Sequence, residues 1–315
     1  MGVGDRPGGG SGCRPFGADV KRGLPMAHAG PGLDPVNVLV TGSSGAIGSA
    51  VARRLRREGP VIGLDLRPGA ETTRLGDIAD SDLLKRLLRG VGAVVHTAAL
   101  HVPHLGTSSE SDFRRTNVEA TQTLLDCADA AGVSRFVLTS TTSVYGCSDR
   151  PGPPATWADE DLSPRPGDVY DRTKLEAERL CRERANGRMS CVVLRMSRCF
   201  PEPEHLLAFY RMYRGVDRED VAEAHYRSIV APIAGSATVN ISAPSPFRRE
   251  DVAELWDDPW RVIERRAPGV RAVFEHRGWP LPPRIDRVYP IAAAAERLGY
   301  RPRQDVRTLL GLEYR

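Results

Sequence analysis

The stretch that most limits the fold is residues 36 to 55, VNVLVTGSSGAIGSAVARRL, where a short apolar run passes through glycines at 42, 45 and 48 into an amphipathic segment. It reads as a buried strand, a tight turn and a helix. The first glycine permits the turn, the second lets a pyrophosphate approach the backbone, and the third lets the helix pack on the strand. The N–H groups that open the helix then face an anion. About twenty residues on, VIGLDL brings Asp65 to the end of a second apolar run, where its carboxylate accepts from a ribose diol and repels a 2′-phosphate. The pattern predicts NAD, not NADP, with Arg67 two residues later as the one group that softens the preference.

Short apolar runs alternate with amphipathic stretches from Val36 as far as SCVVLRM, which ends at Met196. Such alternation predicts an α/β fold, a Rossmann-type doubly wound parallel sheet. After Pro201 it gives way to a helical stretch near Arg218 to Ile229, a strand candidate TVNIS, a helix from Arg249 interrupted at Pro259, and a Pro-rich close. The expected organisation is a Gly/Pro-rich disordered leader over 1–35, with Met26 as a second possible start, a dinucleotide-binding domain over 36–195, and a smaller, mostly helical substrate lobe over 196–315.

The 315 residues carry a net charge of +4, and the basic residues are interspersed with acids, which excludes the continuous basic stripe of a nucleic-acid binder. The six cysteines show no C-x-x-C spacing, as suits a reducing cytoplasm. No run approaches the ~18 apolar residues of a membrane span, so no membrane partner is expected. His101 and His104 form H-x-x-H without a third ligand nearby, and no metal is expected.

The chain has 44 basic residues, of which only Lys21, Lys85 and Lys174 are lysine. Lys174 lies four residues after Tyr170 in VYDRTKLEAERL, a helical pattern that puts both on one face. By spacing alone this also fits a solvated i, i+4 pair. A chemical reason to keep lysine here exists, because a phenol is a poor base at neutral pH and a compact cation beside it favours the phenolate.

Taken in order, the glycine turn, Asp65, Asp77 in LGDIAD, HTAA, Asn117, TSTTSVYG and Y-x-x-x-K resemble the extended short-chain dehydrogenase/reductases, the family of NAD-dependent sugar epimerases and dehydratases. The resemblance implies that Tyr170 is the general acid/base, that Lys174 holds the nicotinamide ribose and lowers the tyrosine pKa, and that Thr141 binds the reacting oxygen. It places Gly42, Ser44, Gly45, Ala46, Ile47, Gly48, Asp65, Asp77, Ile78, His96, Ala98, Ala99 and Asn117 at the cofactor. Asp77 also fits a cap for the helix starting near Asp82. For the substrate it points to His101, Thr141, Thr142, Arg198 and Arg211.

Family dehydratases carry Asp-Glu after this threonine; Thr142 and Ser143 stand here, which disfavours dehydration. RMSRCFPEP resembles the uronate dehydrogenases, except that Arg198 replaces their serine and their carboxylate-gripping arginine falls near Leu207, with Arg211 one turn away. The short stretch from there to Val216 leaves little room for a nucleotide handle. The expectation is therefore an NAD-dependent oxidoreductase acting on a secondary alcohol of a small sugar-like or cyclitol-like molecule, with a 4-epimerase as the alternative. The resemblance also implies a homodimer through the helices spanning Phe113 to Ala131 and Tyr170 to Arg184, with Leu124, Leu125, Leu175 and Leu180 among their apolar positions.

Overall fold

The computed structural model describes residues 1–2, 37–146, 152–185 and 187–313. The leader assigned to 1–35, apart from its first two residues, lies outside the described residues, as does Cys147. The chain runs β1 (Asn37–Thr41), α1 (Ala46–Leu55), β2 (Val61–Asp65), β3 (Arg74–Leu75), α2 (Ser81–Leu87), β4 (Val91–His96), α3 (Glu110–Arg114), α4 (Ala120–Ala130), β5 (Arg135–Thr141), β6 (Thr156–Trp157), α5 (Val169–Arg184) and β7 (Ser190–Met196). It continues through α6 (Glu204–Arg211), α7 (Arg218–Val230), β8 (Ser236–Ile241), α8 (Val252–Asp257), α9 (Pro259–Arg266), α10 (Val270–His276), β9 (Arg287–Val288), α11 (Ala292–Leu298) and α12 (Val306–Leu310).

Seven strands form one parallel sheet in the order β3-β2-β1-β4-β5-β7-β8. Successive side chains on a strand face opposite ways, and the core divides accordingly. Val38 and Val40 of β1, Val95 of β4 and Val137 of β5 meet α1, α7 and α11 on one face, while Leu39, Val94, Phe136 and Leu138 meet α2, α4 and α5 on the other. Burial on both faces explains why these strands read as unbroken apolar runs.

The chain returns to the sheet after residue 195. TVNI of the expected strand TVNIS belongs to β8, which pairs with β7 from Cys191↔Ser236 to Met196↔Ile241, and α7 and α11 cover the sheet beside α1. The remaining helices build a separate core around Phe209, Trp260 and Phe274, joined by Trp157 and Val288 of the two-stranded β6–β9 sheet.

The leucines expected at a helix-pair interface divide. Leu124 and Leu125 are fully buried in the protomer's own core, against β5, because α4 turns its apolar face to the sheet. Leu175 and Leu180 are half-buried, and ion pairs such as Arg114–Glu176 and Arg184–Asp126 cross the outer surface of these helices.

Beneath α5, Glu178 is fully buried and receives Arg195 Nε at 3.1 Å, Arg195 Nη2 at 2.8 Å and the Ser140 hydroxyl at 2.6 Å. His225 of α7 donates its Nδ1–H to the Val221 carbonyl at 2.8 Å and accepts the Thr139 hydroxyl at Nε2, also at 2.8 Å. Burial holds His225 down at about 4 and His96 at about 3, against an ordinary 6.5. The unfolded chain therefore binds more protons between these values, so each histidine contributes stability that is complete above its unfolded pKa and is lost as pH falls. We expect the unfolding free energy of the protein to drop with a slope of ~1.4 kcal/mol per pH unit for each histidine below pH ~6. Urea denaturation of His225→Gln across that range should show the slope reduced by one histidine's share.

Candidate active site

The C-terminal ends of β1, β2, β4 and β5 converge where the strand order reverses between β1 and β4, the place where open α/β sheets form a ligand crevice. The glycine loop leaves β1 there. Gly42 has φ +73°, and a Cβ on it would lie 2.7 Å from the Ala98 nitrogen. A Cβ on Gly48 would lie 2.0 Å from the Gly42 carbonyl oxygen. A Cβ on Gly45 would meet only that same oxygen, at 3.2 Å, which leaves its other side open. α1 begins at Ala46 with no side-chain cap and no acidic residue in its first turn, so its N–H groups suit a pyrophosphate; Ile47, half-buried, packs behind them.

Asp65 closes β2 and is locked in place: Oδ2 accepts the Ser44 N–H and Oδ1 the Arg67 N–H, both at 3.0 Å. A carboxylate has about four acceptor positions, which leaves two for a ribose diol. Ser44 itself is turned away from a ligand. Its N–H goes to Asp65 and its hydroxyl donates to the Arg67 carbonyl at 2.6 Å, so it braces the loop and does not bind phosphate through those groups. Asp77 is exposed, and Ile78 beside it is buried. The cap of α2 is Asp80, whose Oδ1 takes the N–H groups of Asp82 and Leu83, so Asp77 is not the cap.

His96 is another correction to a ligand-facing reading. It is buried, and its hydrogen bonds fix its tautomer. Thr121 gives its proton to the Asn117 carbonyl at 2.8 Å and so accepts from His96 Nε2–H at 2.9 Å; His96 Nδ1 then accepts from Thr41 at 2.7 Å. Thr41 Oγ1 in turn receives the Ala98 N–H at 3.4 Å. The histidine thus supports the loop carrying Ala98 and Ala99. Asn117, also buried, pins the same loop by exchanging two hydrogen bonds with Leu100, at 2.8 and 2.9 Å, and donates to Thr173 on α5 at 3.1 Å. It sits in a π-helical turn, Arg115–Glu119, a distortion common at functional sites.

α5 starts at Asp168, whose carboxylate takes the Asp171 N–H at 2.8 Å. This places Tyr170 in the first turn, near Thr141 at the end of β5, with Lys174 one turn on. Burial pushes the Tyr170 phenol well above its ordinary value, and the Asp171 and Asp168 carboxylates push the same way. Lys174 is 4% exposed, makes no hydrogen bond to the described residues, and is lowered by burial to about 8. Here the phenol is raised and not lowered, with Thr141 as the group that acts downward on it. A buried ammonium with free donors does fit the hydroxyls of a nicotinamide ribose.

Thr142 is 4% exposed, and its backbone carbonyl accepts the Tyr289 hydroxyl at 3.5 Å. Tyr145 is buried, pushed up to about 12 by burial, and donates its hydroxyl proton to Asn240 at 2.9 Å, which directs it toward β8. His101 is half-buried beside Lys174 and stacks on Phe200 with centroids 6.4 Å apart. His104 Nδ1 accepts the His101 N–H at 3.0 Å. Phe200 leads to a small cavity it lines with Arg198, Leu207, Tyr210 and Arg211. Arg198 pairs with Glu202 over Tyr210, whereas Arg211 is 5% exposed, lies 3.5 Å from Asp217, and has a buried Nη1 without a hydrogen bond. Ser143 and Asp171 are the functional candidates that motif reading missed; a carboxylate in a helix's first turn looks like an ordinary helix start.

A parallel doubly wound sheet with this glycine loop and a Thr–Tyr–Lys set defines an NAD-binding enzyme of the short-chain dehydrogenase/reductase type. Residues 38–207 match the model of the NAD dependent epimerase/dehydratase family, and the chain belongs to that family. A 3 beta-hydroxysteroid dehydrogenase/Delta 5-->4-isomerase of Mycobacterium tuberculosis is 32% identical over 172 residues, 50% of this chain and 45% of that protein, so the chain spans less than half of that relative. Among solved structures, MoeE5 in complex with UDP-glucuronic acid and NAD is 27% identical with a TM-score of 0.65, covering 88% of this chain and 97% of that one. A mutated uronate dehydrogenase shares the fold, with a TM-score of 0.62 at 20% identity over 86% of this chain and 82% of that one. Among the described residues no helix is long and apolar enough to cross a membrane.

Replacing Asp65 with Ala should weaken NAD binding and narrow the gap to NADP, since diol acceptors and charge repulsion go together. Calorimetry with both nucleotides checks this, and tighter NADP binding by the unsubstituted protein would show the residue to be misassigned.

Proposed function

We propose that the protein is an NAD-dependent oxidoreductase that moves hydride between nicotinamide and a secondary alcohol or ketone of a small sugar-like or cyclitol-like substrate. The observation that carries this is the placement of Tyr170 in the first turn of α5, one helical turn before the buried Lys174 and near Thr141 at the end of β5, at the strand ends beside the glycine loop. NAD supplies the hydride acceptor or donor when bound. The protein's own part is to hold it: the α1 N–H groups at the pyrophosphate, Asp65 at the adenine ribose, and Lys174 at the nicotinamide ribose. Thr141 orients the reacting oxygen and Tyr170 carries the proton to or from it. His101 and Phe200 wall the substrate side, and the pocket with Arg198 and Arg211 receives polar substituents. Only α6 separates β7 from α7, which favours a small substrate.

A second reading is a sugar-nucleotide 4-epimerase, favoured by MoeE5, a neighbour of nearly matching extent whose complex holds UDP-glucuronic acid. Its oxidation and re-reduction would release no NADH. A cytoplasmic homodimer is also our proposal, with Leu175 and Leu180 remaining of the apolar positions first assigned to the contact; light scattering at micromolar concentration reads it directly.

Tyr170→Phe deletes only the ionisable oxygen, so NAD binding should survive while turnover falls by ~10²-fold or more. Lys174→Arg should weaken NAD as well, because a planar fork replaces a compact donor. Screening sugars, sugar acids and cyclitols for NADH release provides the assay. Near-normal rates in both variants would remove the pair from the chemistry.

A further inference from the structure

Behind Phe200 lies the small cavity bounded by the loop after β7, by α6 and by the turn before α7. Phe200, Leu207 and Val216 supply its apolar wall, and Arg198, Glu202 and Arg211 its charged groups. It leaves about 10 Å³ for the centre of a guest the size of water, so it takes a single atom.

Arg211 is 5% exposed, and its buried Nη1 has no hydrogen bond among the described residues. The carboxylates around it are spent elsewhere. Glu202 is paired with Arg198. Asp217 reaches Arg211 only at 3.5 Å; its Oδ1 accepts the Glu219 N–H at 2.9 Å, and its charge faces the positive end of α7. Asp220 gives its two oxygens to the Arg303 and Gln304 N–H groups, at 2.9 and 3.0 Å. Arg214 adds a further guanidinium, stacked 4.3 Å from the centre of the Tyr210 ring, and its buried Nε is also unbonded among the described residues. A buried charged donor without an acceptor is costly. Water would meet the donor and leave the positive charge unanswered, whereas a single-atom anion meets both.

We propose that this cavity is a halide site, in which one chloride or bromide ion sits against Arg211 Nη1 within the wall of Phe200, Leu207 and Val216. The apolar wall offers nothing in exchange for a tightly held water shell, so it selects bromide and chloride over fluoride. Binding needs neither NAD nor substrate. A substrate group that enters the pocket must displace the ion, and that consequence alone rests on the proposed function.

The test follows thermal unfolding of the cofactor-free protein in sodium fluoride, chloride, bromide and acetate at equal ionic strength. A ligand bound only by the folded state raises the unfolding midpoint with the logarithm of its concentration. Bromide and chloride should raise it by a few degrees over fluoride. Arg211→Met keeps the packing of the stem and removes the charge, and the difference between halides should vanish in it. Leu207→Phe fills the space and keeps every charge, and it should abolish the difference as well, which decides the matter where the arginine variant does not fold.

On the unsubstituted protein, the chlorine-35 resonance of added chloride should be broadened by the folded chain and sharpened again by bromide. A line that bromide leaves unchanged, or equal halide responses in the protein and its variants, overturns the site. If acetate raises the midpoint and the halides do not, the cavity opens to a carboxylate and the halide assignment falls. Activity retained by Tyr170→Phe would defeat the functional reading separately and leave these measurements as they are.

Discussion

The ion pair between Glu178 and Arg195 sets the geometry on which the site depends. It ties the middle of α5 to β7, and the Ser140 hydroxyl adds β5 to the same carboxylate. Two charges withdrawn from water are tolerated only when their hydrogen bonds are met, and here the carboxylate is held by a two-nitrogen fork and a hydroxyl. Because the helix cannot slide or rotate without breaking all three contacts, the two residues that face the crevice from its first turns keep a fixed relation to Thr141.

A second set of contacts fixes the opposite wall. His96, Thr41, Thr121 and Asn117 form a buried relay of donors and acceptors that starts under β1 and ends on the loop after β4. Each group has its partner, so the relay works as a rigid brace; low local polarity strengthens such networks when complete and penalises any gap. The cofactor crevice thus lies between two elements located by buried polar chemistry, with apolar packing filling the space behind.

Much of this was legible from residue order. The glycine turn, Asp65 and the Tyr170–Lys174 spacing each carry a mechanism that works within one element, and the elements formed where expected. What sequence could not give was the direction of side chains and the choice of neighbours. Ser44 and His96 stand inside the right motifs, yet hydrogen bonds to Asp65, Arg67, Thr41 and Thr121 turn them inward. Leu124 and Leu125 satisfy a helical apolar pattern whichever surface they meet. TVNIS reads as a strand whether its partner is a lobe hairpin or β7, since alternation encodes a pleat and says nothing of the adjoining strand. The bond between Ser143 and Asp171 joins residues that are distant in sequence and adjacent only after folding.

The placement of β8 and β6 has a consequence for how the molecule can be divided. A late segment completes the sheet and an early one, Thr156–Trp157, completes the C-terminal core, so the backbone shuttles between the two compartments several times. Cutting after β7 would strip its partner and leave an unpaired apolar strand edge, which invites association with other chains. Neither compartment is a separable module. The repeated crossings also oppose a wide clamshell motion about one hinge, so access to the crevice must come from local movement of the loops that carry His101 and Phe200, with the walls behind them staying in register.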